Sequence, residues 1–411
     1  MNKVAKLAAA AVVIVALAGL PAAFAADAPK GPQVSAASGK DLVAAQKALN
    51  AQKYDEALAA LDKVKAIPKK TEYDEFVMNQ FYYNAYIAQK KLDLARTEVE
   101  LLLQSQYMQP EDKKKFTVAA AYLAYQMKDY DQAIKYGTQA VNDGDAPLQL
   151  QTVVAQAYYI KENYKGTSDY SHGVVDSQLK AGQTPSEDLL KLGESAAVRL
   201  KDNADLARWL DLLVTYYPNA EYWQDQMDLM YQAKMTDKQV LQLYRLIAEV
   251  LGLKNGSDYA EMAQLAVDAG SPGEAVATLN KGLAANVFTD PAEKKRIQAL
   301  LESAKKQAAA DEPTLGKTEA ESAGATTGDR LASVGMGYFS YGNYPQAVKD
   351  ISAGLAKGMA KDATDARLLL GIAQLKTGDK AAAVQTFGQV KGSAVGERLA
   401  ALWILRAKAT T

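Results

Sequence analysis

Apolar residues recur at helical spacing along most of the chain, and short polar turns interrupt them about every 15 to 20 residues. Examples of these turns are "NAQK" from Asn50, "KKLD" from Lys90 and "MKDY" from Met127. Strictly alternating apolar and polar stretches, which indicate strands, are scarce. The pattern therefore predicts an all-α protein whose ordered part begins near Asp41.

One local motif recurs within this pattern. It consists of turn residues, a tyrosine or its substitute, two variable residues and then a small residue, as in "KDYDQAIKYG" from Lys128 and "GNYPQAVKDI" from Gly342. Successive small residues lie 38, 38, 34, 40, 33, 35, 72 and 36 residues apart, and 72 is twice 36. This spacing predicts repeated helix-turn-helix units. The marker positions are Ala57, Ala95, Ala133, Thr167, Ala207, Val240, Ala275, Ala347 and Ala383.

A small residue at the centre of an apolar helix face indicates close helix packing. The neighbouring helix can approach at this point while larger residues on either side fill the grooves. We expect a bulky replacement to cost about 1 to 3 kcal/mol. The tyrosine before the marker is expected to pack its ring between the two helices of its own unit, at Tyr54, Tyr130, Tyr164 and Tyr344.

The repeat resembles that of the tetratricopeptide-repeat (TPR) family. First helices carry a small residue followed three positions later by an aromatic one, as in Ala155 with Tyr158 and Gly335 with Tyr338. The second helix from Ala347 continues with an apolar and then a small residue. The resemblance covers most of residues 41 to 411, weakens between about Pro185 and Leu253, and implies an all-α fold, an α-solenoid of tetratricopeptide-like helix-turn-helix repeats.

Composition along the chain suggests five segments. Residues 1–25 are expected to be a signal peptide, 26–40 a disordered leader, and 41–308 the TPR-like α-solenoid. Residues 309–328 are predicted to be a linker, because the stretch from Ala308 to Asp329 has almost no large apolar residues. Residues 329–411 are predicted to form a C-terminal TPR-like pair with a capping helix. That helix is expected to place Trp403 and Leu405 inward, and Arg398, Arg406 and Lys408 in solvent.

The N-terminus predicts export. Lys3 and Lys6 precede an apolar run, and Ala23-Phe24-Ala25 is a small-x-small cleavage site before Ala26. The run of about 14 apolar residues is shorter than the roughly 20 that span a bilayer. We therefore expect cleavage, a bacterial periplasmic location and no membrane insertion of the mature chain.

Charge and residue counts narrow the function classes. The 47 basic and 48 acidic residues give a net charge of -1, which does not favour nucleic acid. The chain has no cysteine and one histidine, His172, so thiolate and multi-histidine metal sites are excluded and no cofactor is expected. "SAKK" from Ser303 matches the Ser-x-x-Lys pattern of some acyl-enzymes, but neither partner motif follows it. "VGMGYF" from Val334 has two glycines but lacks the third glycine and the preceding strand of a dinucleotide-binding loop. No pair of acids stands out either, so we expect a protein that is not an enzyme.

Tyrosine is unusually common, with 23 residues against seven phenylalanines. The resemblance implies that first helices line a concave groove, at positions one and four residues after the small residue. These positions are Asn84, Ile87, Tyr122, Tyr125, Gln156 and Tyr159. Two interpretations remain open: ordinary core or solvated surface, and an aromatic groove for a peptide or glycan.

The function favoured by the sequence is an exported, non-enzymatic scaffold that binds envelope proteins or peptides in the bacterial cell envelope. One alternative is a glycan-binding or polysaccharide-export accessory protein. Another is a non-catalytic component of peptidoglycan machinery.

Overall fold

The computed structural model describes residues 32–409 except for residues 145, 323, 360 and 362. The predicted signal peptide and the first part of the predicted leader lie outside the described residues. The described part contains α-helices, one 3-10 turn at Glu312–Thr314 and no strand. The helices are α1 (Ala36–Asn50), α2 (Tyr54–Lys65), α3 (Glu72–Ala88), α4 (Leu92–Gln104), α5 (Pro110–Gln126), α6 (Tyr130–Asn142), α7 (Leu148–Ile160), α8 (Tyr164–Lys180), α9 (Glu187–Leu200), α10 (Asn203–Tyr216), α11 (Ala220–Tyr231), α12 (Asp237–Val250), α13 (Gly256–Asp268), α14 (Pro272–Ala284), α15 (Pro291–Asp311), α16 (Leu315–Ser322), α17 (Asp329–Ser340), α18 (Tyr344–Lys357), α19 (Ala363–Lys376), α20 (Lys380–Gly388) and α21 (Ala394–Lys408).

The chain divides into two compact units. Unit 1 ends at Leu206, and unit 2 begins at Ala207, inside α10. In unit 1, each helix from α1 to α9 packs against the next, and α5, α7 and α9 also pack in succession. In unit 2, consecutive packing runs from α11 to α15 and from α16 to α21. The prediction of an all-α, TPR-like α-solenoid is confirmed for the described residues.

The small marker residues lie where the helices approach most closely. Ala133 of α6 is fully buried against Ala124 of α5 and Ala157 of α7. Seven of the nine markers have 0% exposure, and the exceptions are the partly exposed Ala207 and Val240 in the middle of the chain. The seven are Ala57, Ala95, Ala133, Thr167, Ala275, Ala347 and Ala383.

The small residues of first helices have the same role. A Cβ added to Gly335 in α17 would lie 2.7 Å from Ile351 Cγ1 in α18. A Cβ added to Gly337 would lie 2.7 Å from Leu315 Cδ2 in α16. Both distances are too short for carbon atoms in contact. These two glycines therefore permit close contact between α17 and its neighbours α16 and α18.

The tyrosine that precedes the marker packs as predicted at Tyr130, Tyr164 and Tyr344, whereas the packing of Tyr54 stays a prediction. Tyr130 meets the ring of Tyr125 edge-on, with centroids 5.7 Å apart. The equivalent pairs are Tyr159 with Tyr164 at 5.3 Å and Phe339 with Tyr344 at 5.5 Å. In each pair the first ring belongs to the first helix and the second ring to the second helix of one unit. These edge-to-face contacts join the two helices across their turn.

A left-handed residue closes the first helix of most units, five positions before the marker. The position is occupied by Gln52, Lys90, Lys128, Glu162, Gly270, Gly342 and Gly378, with φ between 57° and 88°. In the turn at Lys128, the Asp129 N–H donates to Ala124 O at 2.9 Å, which satisfies a carbonyl at the helix end. Before Ala207, the left-handed residue is Lys201, which lies six positions earlier rather than five. In this middle unit, the distance between the left-handed residue and the marker is therefore one residue longer than in the others.

The leader is shorter than predicted, because α1 begins at Ala36. Ser35 caps this helix, and its N–H and hydroxyl donate to the two carboxylate oxygens of Asp74 at 2.8 and 2.7 Å. Asp74 is fully buried, so the cap is tied to α3. The prediction of disorder is wrong for residues 36–40. This stretch lacks large apolar residues, but the hydrogen bonds from Ser35 to the buried Asp74 hold the start of α1 in place.

The predicted linker is also largely helical. α15 continues to Asp311, and the 3-10 turn and α16 follow. Leu315 is buried, Tyr341 OH donates to Asp311 at 2.8 Å, and Tyr338 OH donates to Glu319 at 3.2 Å. The buried Leu315 and the hydrogen bonds from α17 and the adjoining turn hold this segment in place. The prediction of a linker is therefore wrong for its helical part, although the segment has few large apolar residues. The segment also lies inside unit 2 rather than between units.

The closing helix α21 makes contacts beyond its neighbours in sequence. Arg398 forms a bidentate ion pair with Asp211, with both distances at 2.8 Å. Arg406 pairs with Glu249 of α12 at 2.9 Å. The expectation that these two arginines lie in solvent is therefore wrong, whereas Trp403 is buried and Lys408 exposed as expected. Within the described part of the chain, no helix is both long enough and apolar enough to cross a membrane.

The left-handed turn position generates a prediction. Gly342→Ala is expected to lower the free energy of unfolding by about 1 kcal/mol, because a Cβ there meets no atom within 4 Å and only the backbone is strained. Lys128→Gly is expected to raise it by about 0.5 kcal/mol, since glycine removes that strain. Urea unfolding followed by circular dichroism measures both.

Gly173→Ala in α8 is the control. It is exposed, lies inside a helix and also has no atom within 4 Å of its added Cβ. It is expected to stabilise by about 0.5 to 1 kcal/mol. Equal effects of the Gly342 and Gly173 substitutions would contradict the assigned turn conformation.

Candidate interaction surface

The predicted groove residues are not equally accessible. Tyr122 is 8% exposed and Gln156 is 6% exposed, whereas the remaining four are partly exposed. Tyr122 packs against Ala140, Leu150 and Val153, and burial raises the pKa of its hydroxyl. Ile87 packs against the core formed by α1 to α5. Tyr122 is thus a core residue in this structure, and partner binding by the six residues stays a prediction.

Tyr125 and Gln156 connect two successive first helices. The hydroxyl of Tyr125 in α5 donates to Gln156 Oε1 in α7 at 3.0 Å. Burial, and secondarily the nearby Tyr130, raises the pKa of Tyr125, so the hydroxyl stays protonated and able to donate. Gln156 therefore has a structural role in holding α5 against α7.

Tyr159 makes the corresponding connection from α7 to α9. Its hydroxyl is close enough to Arg199 of α9 to raise the pKa of the guanidinium, and the hydroxyl of Tyr164 adds to this shift. The guanidinium also lies 5.7 Å from the ring centroid of Tyr164. The cation therefore belongs to an aromatic cluster at the C-terminal end of α9.

The same helix ends carry exposed apolar side chains. Met127 after α5 is 37% exposed, Ile160 of α7 is 45% exposed and Leu200 of α9 is 43% exposed. Because consecutive helices alternate in direction, the C-terminal ends of α5, α7 and α9 lie on one side of unit 1. We call Tyr125, Met127, Tyr159, Ile160 and Leu200 the terminal strip.

The terminal strip has the composition of an interaction surface. Exposed apolar side chains lie beside tyrosine and arginine, the residue types that dominate binding at protein interfaces. The family resemblance predicts Tyr125 and Tyr159 as binding residues but not the three aliphatic residues. The sequence feature that could have identified these three residues is their position. Each lies one or two residues before a left-handed turn residue, namely Lys128, Glu162 or Lys201.

His172 is part of a structural contact rather than a catalytic triad. Its Nε2 lies 2.5 Å from Asp205 Oδ1, and Ser168 Oγ donates to Asp205 Oδ2 at 2.8 Å. The aspartate therefore stands between the serine and the histidine, whereas nucleophilic catalysis needs the histidine between them. Among the described residues, no group of three or more acids or histidines is placed to hold a metal ion.

Glu98 of α4 has a carboxyl group with a strongly raised pKa. Burial raises its pKa to about 7, although Lys65 of α2 partly opposes the shift. Nearby, Tyr82 and Tyr86 of α3 stack with centroids 5.5 Å apart. The folded state therefore favours protonated Glu98.

This shift predicts how stability depends on pH. A carboxyl group whose pKa is raised on folding contributes stability at low pH and loses it as the pH rises from about 4.5 to about 7. Glu98→Gln is thus expected to raise the free energy of unfolding by about 1 kcal/mol at pH 8, after discounting for solvent screening, and to be nearly neutral at pH 4.

Urea unfolding across this pH range measures the effect. Exposed Glu111→Gln in α5 is the control and is expected to stay within about 0.5 kcal/mol throughout. A Glu98→Gln effect that does not change with pH would show that folding does not shift the pKa of Glu98.

Comparison with known proteins gives distant matches only. No protein-family model matches the chain, and no curated protein does. Solved structures that align with it include the apo form of RapI, with a TM-score of 0.34, 13% identity and coverage of 78% of this chain and 85% of that one. A tetratricopeptide repeat protein from Parabacteroides merdae has a TM-score of 0.28 and 11% identity, covering 81% of this chain and 99% of that one.

The TPR2AB domain of yeast Sti1, in a complex with pHSP90, has a TM-score of 0.26 and 13% identity, covering 68% of this chain and 89% of that one. TM-scores this low carry no argument about the partners of this chain. Its TPR-like character rests on its own repeat spacing, helix pairing and buried markers.

Proposed function

We propose that this protein is an exported, non-enzymatic TPR-like scaffold that binds protein partners in the bacterial cell envelope. The observation that carries the proposal is the terminal strip. Met127, Ile160 and Leu200 are exposed at the ends of three successive first helices. Beside them, Tyr125 is hydrogen-bonded to Gln156 and Tyr159 packs on the ring of Tyr164. The expected partner has an apolar surface that covers these side chains.

The arrangement of the strip supports binding rather than catalysis. Its polar groups are the phenols of Tyr125 and Tyr159, and the guanidinium of Arg199 lies beside them. These groups orient a partner but provide no nucleophile with an adjacent base. The rings are held by contacts between helices, at 5.7 Å for Tyr125 with Tyr130 and 5.3 Å for Tyr159 with Tyr164, so little freedom of these side chains is lost when a partner binds. Such pre-organised aromatic groups are typical of residues that contribute strongly to binding.

Export is supported by the sequence alone. Lys3, Lys6, the following apolar run and the Ala23-Phe24-Ala25 site have the order of a signal peptide. The proposed mature chain begins near Ala26 and lies in the periplasm.

Chemical crosslinking in intact cells, followed by purification of the tagged protein from the periplasmic fraction, tests the proposal. The test variant is Met127→Ser, Ile160→Ser, Leu200→Ser. Each residue is exposed, so each substitution should change stability by no more than about 0.5 kcal/mol. The variant is expected to stay folded by circular dichroism and to lose at least one protein that the unmodified chain captures.

The control variant is Val43→Ser, Leu94→Ser, Leu101→Ser. These residues are 43%, 41% and 47% exposed and lie on α1 and α4, outside the strip. The control is expected to retain every partner. If both variants capture the same proteins, the terminal strip is not the binding surface. Recovery of the protein with residues 1–25 intact would contradict export.

A further inference from the structure

A cavity of about 580 Å³ lies within unit 2. Helices α12 to α14, α17, α19 and α21 contribute to its wall, with the turn that follows α17. Its volume falls within the range of small-ligand pockets, about 300 to 1,000 Å³. The aromatic residues that line it are Phe339, Tyr341, Tyr344 and Trp403.

The charged groups deep in this cavity neutralise one another. Arg245 is 7% exposed and forms a bidentate ion pair with Glu274, at 2.8 and 2.6 Å. Glu249 accepts from Lys376 at 2.7 Å and from Arg406 at 2.9 Å. The lining as a whole contains three cations and three acids, namely Arg245, Lys281, Lys376, Glu249, Glu274 and Glu312. The lining therefore has no net charge that would attract a charged ligand.

One deeply buried donor in the cavity wall lacks an acceptor. Trp403 is 1% exposed, and its Nε1–H has no hydrogen-bond partner among the described residues. The ring is held by stacking on Phe387, with centroids 5.9 Å apart and planes 11° apart. Because this nitrogen has almost no accessible surface, Trp403 serves as part of the rigid cavity wall and not as a donor to a ligand.

The rim of the cavity offers both donors and acceptors. Asn280, Lys281 and Glu312 are exposed and contribute an amide, an ammonium and a carboxylate. Tyr341 and Tyr344 are partly exposed beside them. A hydroxyl group both donates and accepts, so a ligand with many hydroxyl groups can use all of these partners.

We propose that this cavity binds a short segment of a neutral saccharide. The apolar C–H faces of sugar rings would pack on Tyr341 and Tyr344, and the hydroxyl groups would hydrogen-bond to Asn280, Lys281 and Glu312 at the rim. A peptide fits less well, because the walls are mostly helical and their backbone groups are already paired within the helices. The backbone of a peptide would then have to rely on side chains alone.

This inference goes beyond the proposed scaffold function, since the cavity lies in unit 2 and the terminal strip in unit 1. Loss of partner capture by a strip variant and loss of saccharide binding are separate results. Neither result depends on the other.

Nuclear magnetic resonance of the indole N–H groups provides a direct test. The chain has only three tryptophans, so the full-length protein labelled with 15N should give three indole signals, and Trp403→Phe identifies one of them. The probes are maltotetraose, cellotetraose and chitotetraose, each at about 1 mM, a concentration suited to weak affinity. We expect at least one probe to shift the Trp403 signal while those of Trp209 and Trp223 stay in place.

The rim variant Asn280→Ala, Lys281→Ala, Glu312→Ala is expected to weaken this binding at least tenfold. Its matched control, Gln298→Ala, Lys295→Ala, Glu302→Ala, removes the same three chemical groups from exposed positions of α15 outside the cavity and should bind normally. Three results would overturn the proposal. They are no Trp403 shift with any neutral tetrasaccharide, a shift only with tetragalacturonate or a blocked tetra-alanine peptide, and equal affinity of the rim and control variants.

Discussion

Close approach of the helices at a small residue is the constraint on which this structure depends. Each second helix that follows the repeat has an alanine or a threonine with no exposed surface, and Ala133 shows the contact with Ala124 and Ala157 directly. Helices separated by only a methyl group bring their larger side chains into one continuous core. The turn must then reverse the chain within a few residues, which explains the left-handed residue five positions before the marker. The same turns place Met127, Ile160 and Leu200 at the ends of their helices.

Much of the fold could be predicted from the sequence, because these requirements act locally. The marker spacing predicts the helix pairs, and the tyrosine of each motif predicts the edge-to-face contact seen for Tyr125 and Tyr130. Composition failed where polar contacts replace apolar ones. α16 lacks large residues apart from Leu315, yet Glu319 receives a hydrogen bond from Tyr338 and an ion pair from Lys349. The contacts of Arg398 and Arg406 join residues more than 150 positions apart, which no local pattern encodes.

The candidate surface was predictable in part. Helical register identifies which residues share a face, but the depth of each residue depends on the neighbouring helices. Tyr122 and Tyr125 are both on the predicted face, yet α6 and α7 cover Tyr122 while Tyr125 reaches Gln156. The cavity of unit 2 was not predicted at all, since it forms between α12 to α14 and helices that follow much later in the chain. Its buried polar residues, Arg245 and Trp403, appear in the sequence only as ordinary members of amphipathic helices.

The most direct test is to place leucine at each of the nine marker positions in turn and to measure the free energy of unfolding. Overpacking is expected to cost about 1 to 3 kcal/mol at the seven markers that have 0% exposure. Ala207→Leu and Val240→Leu are expected to stay within about 0.5 kcal/mol, since both residues are partly exposed in the middle of the chain. Equal costs at all nine positions, or tolerance of leucine at the seven buried ones, would contradict close helix approach as the basis of the fold.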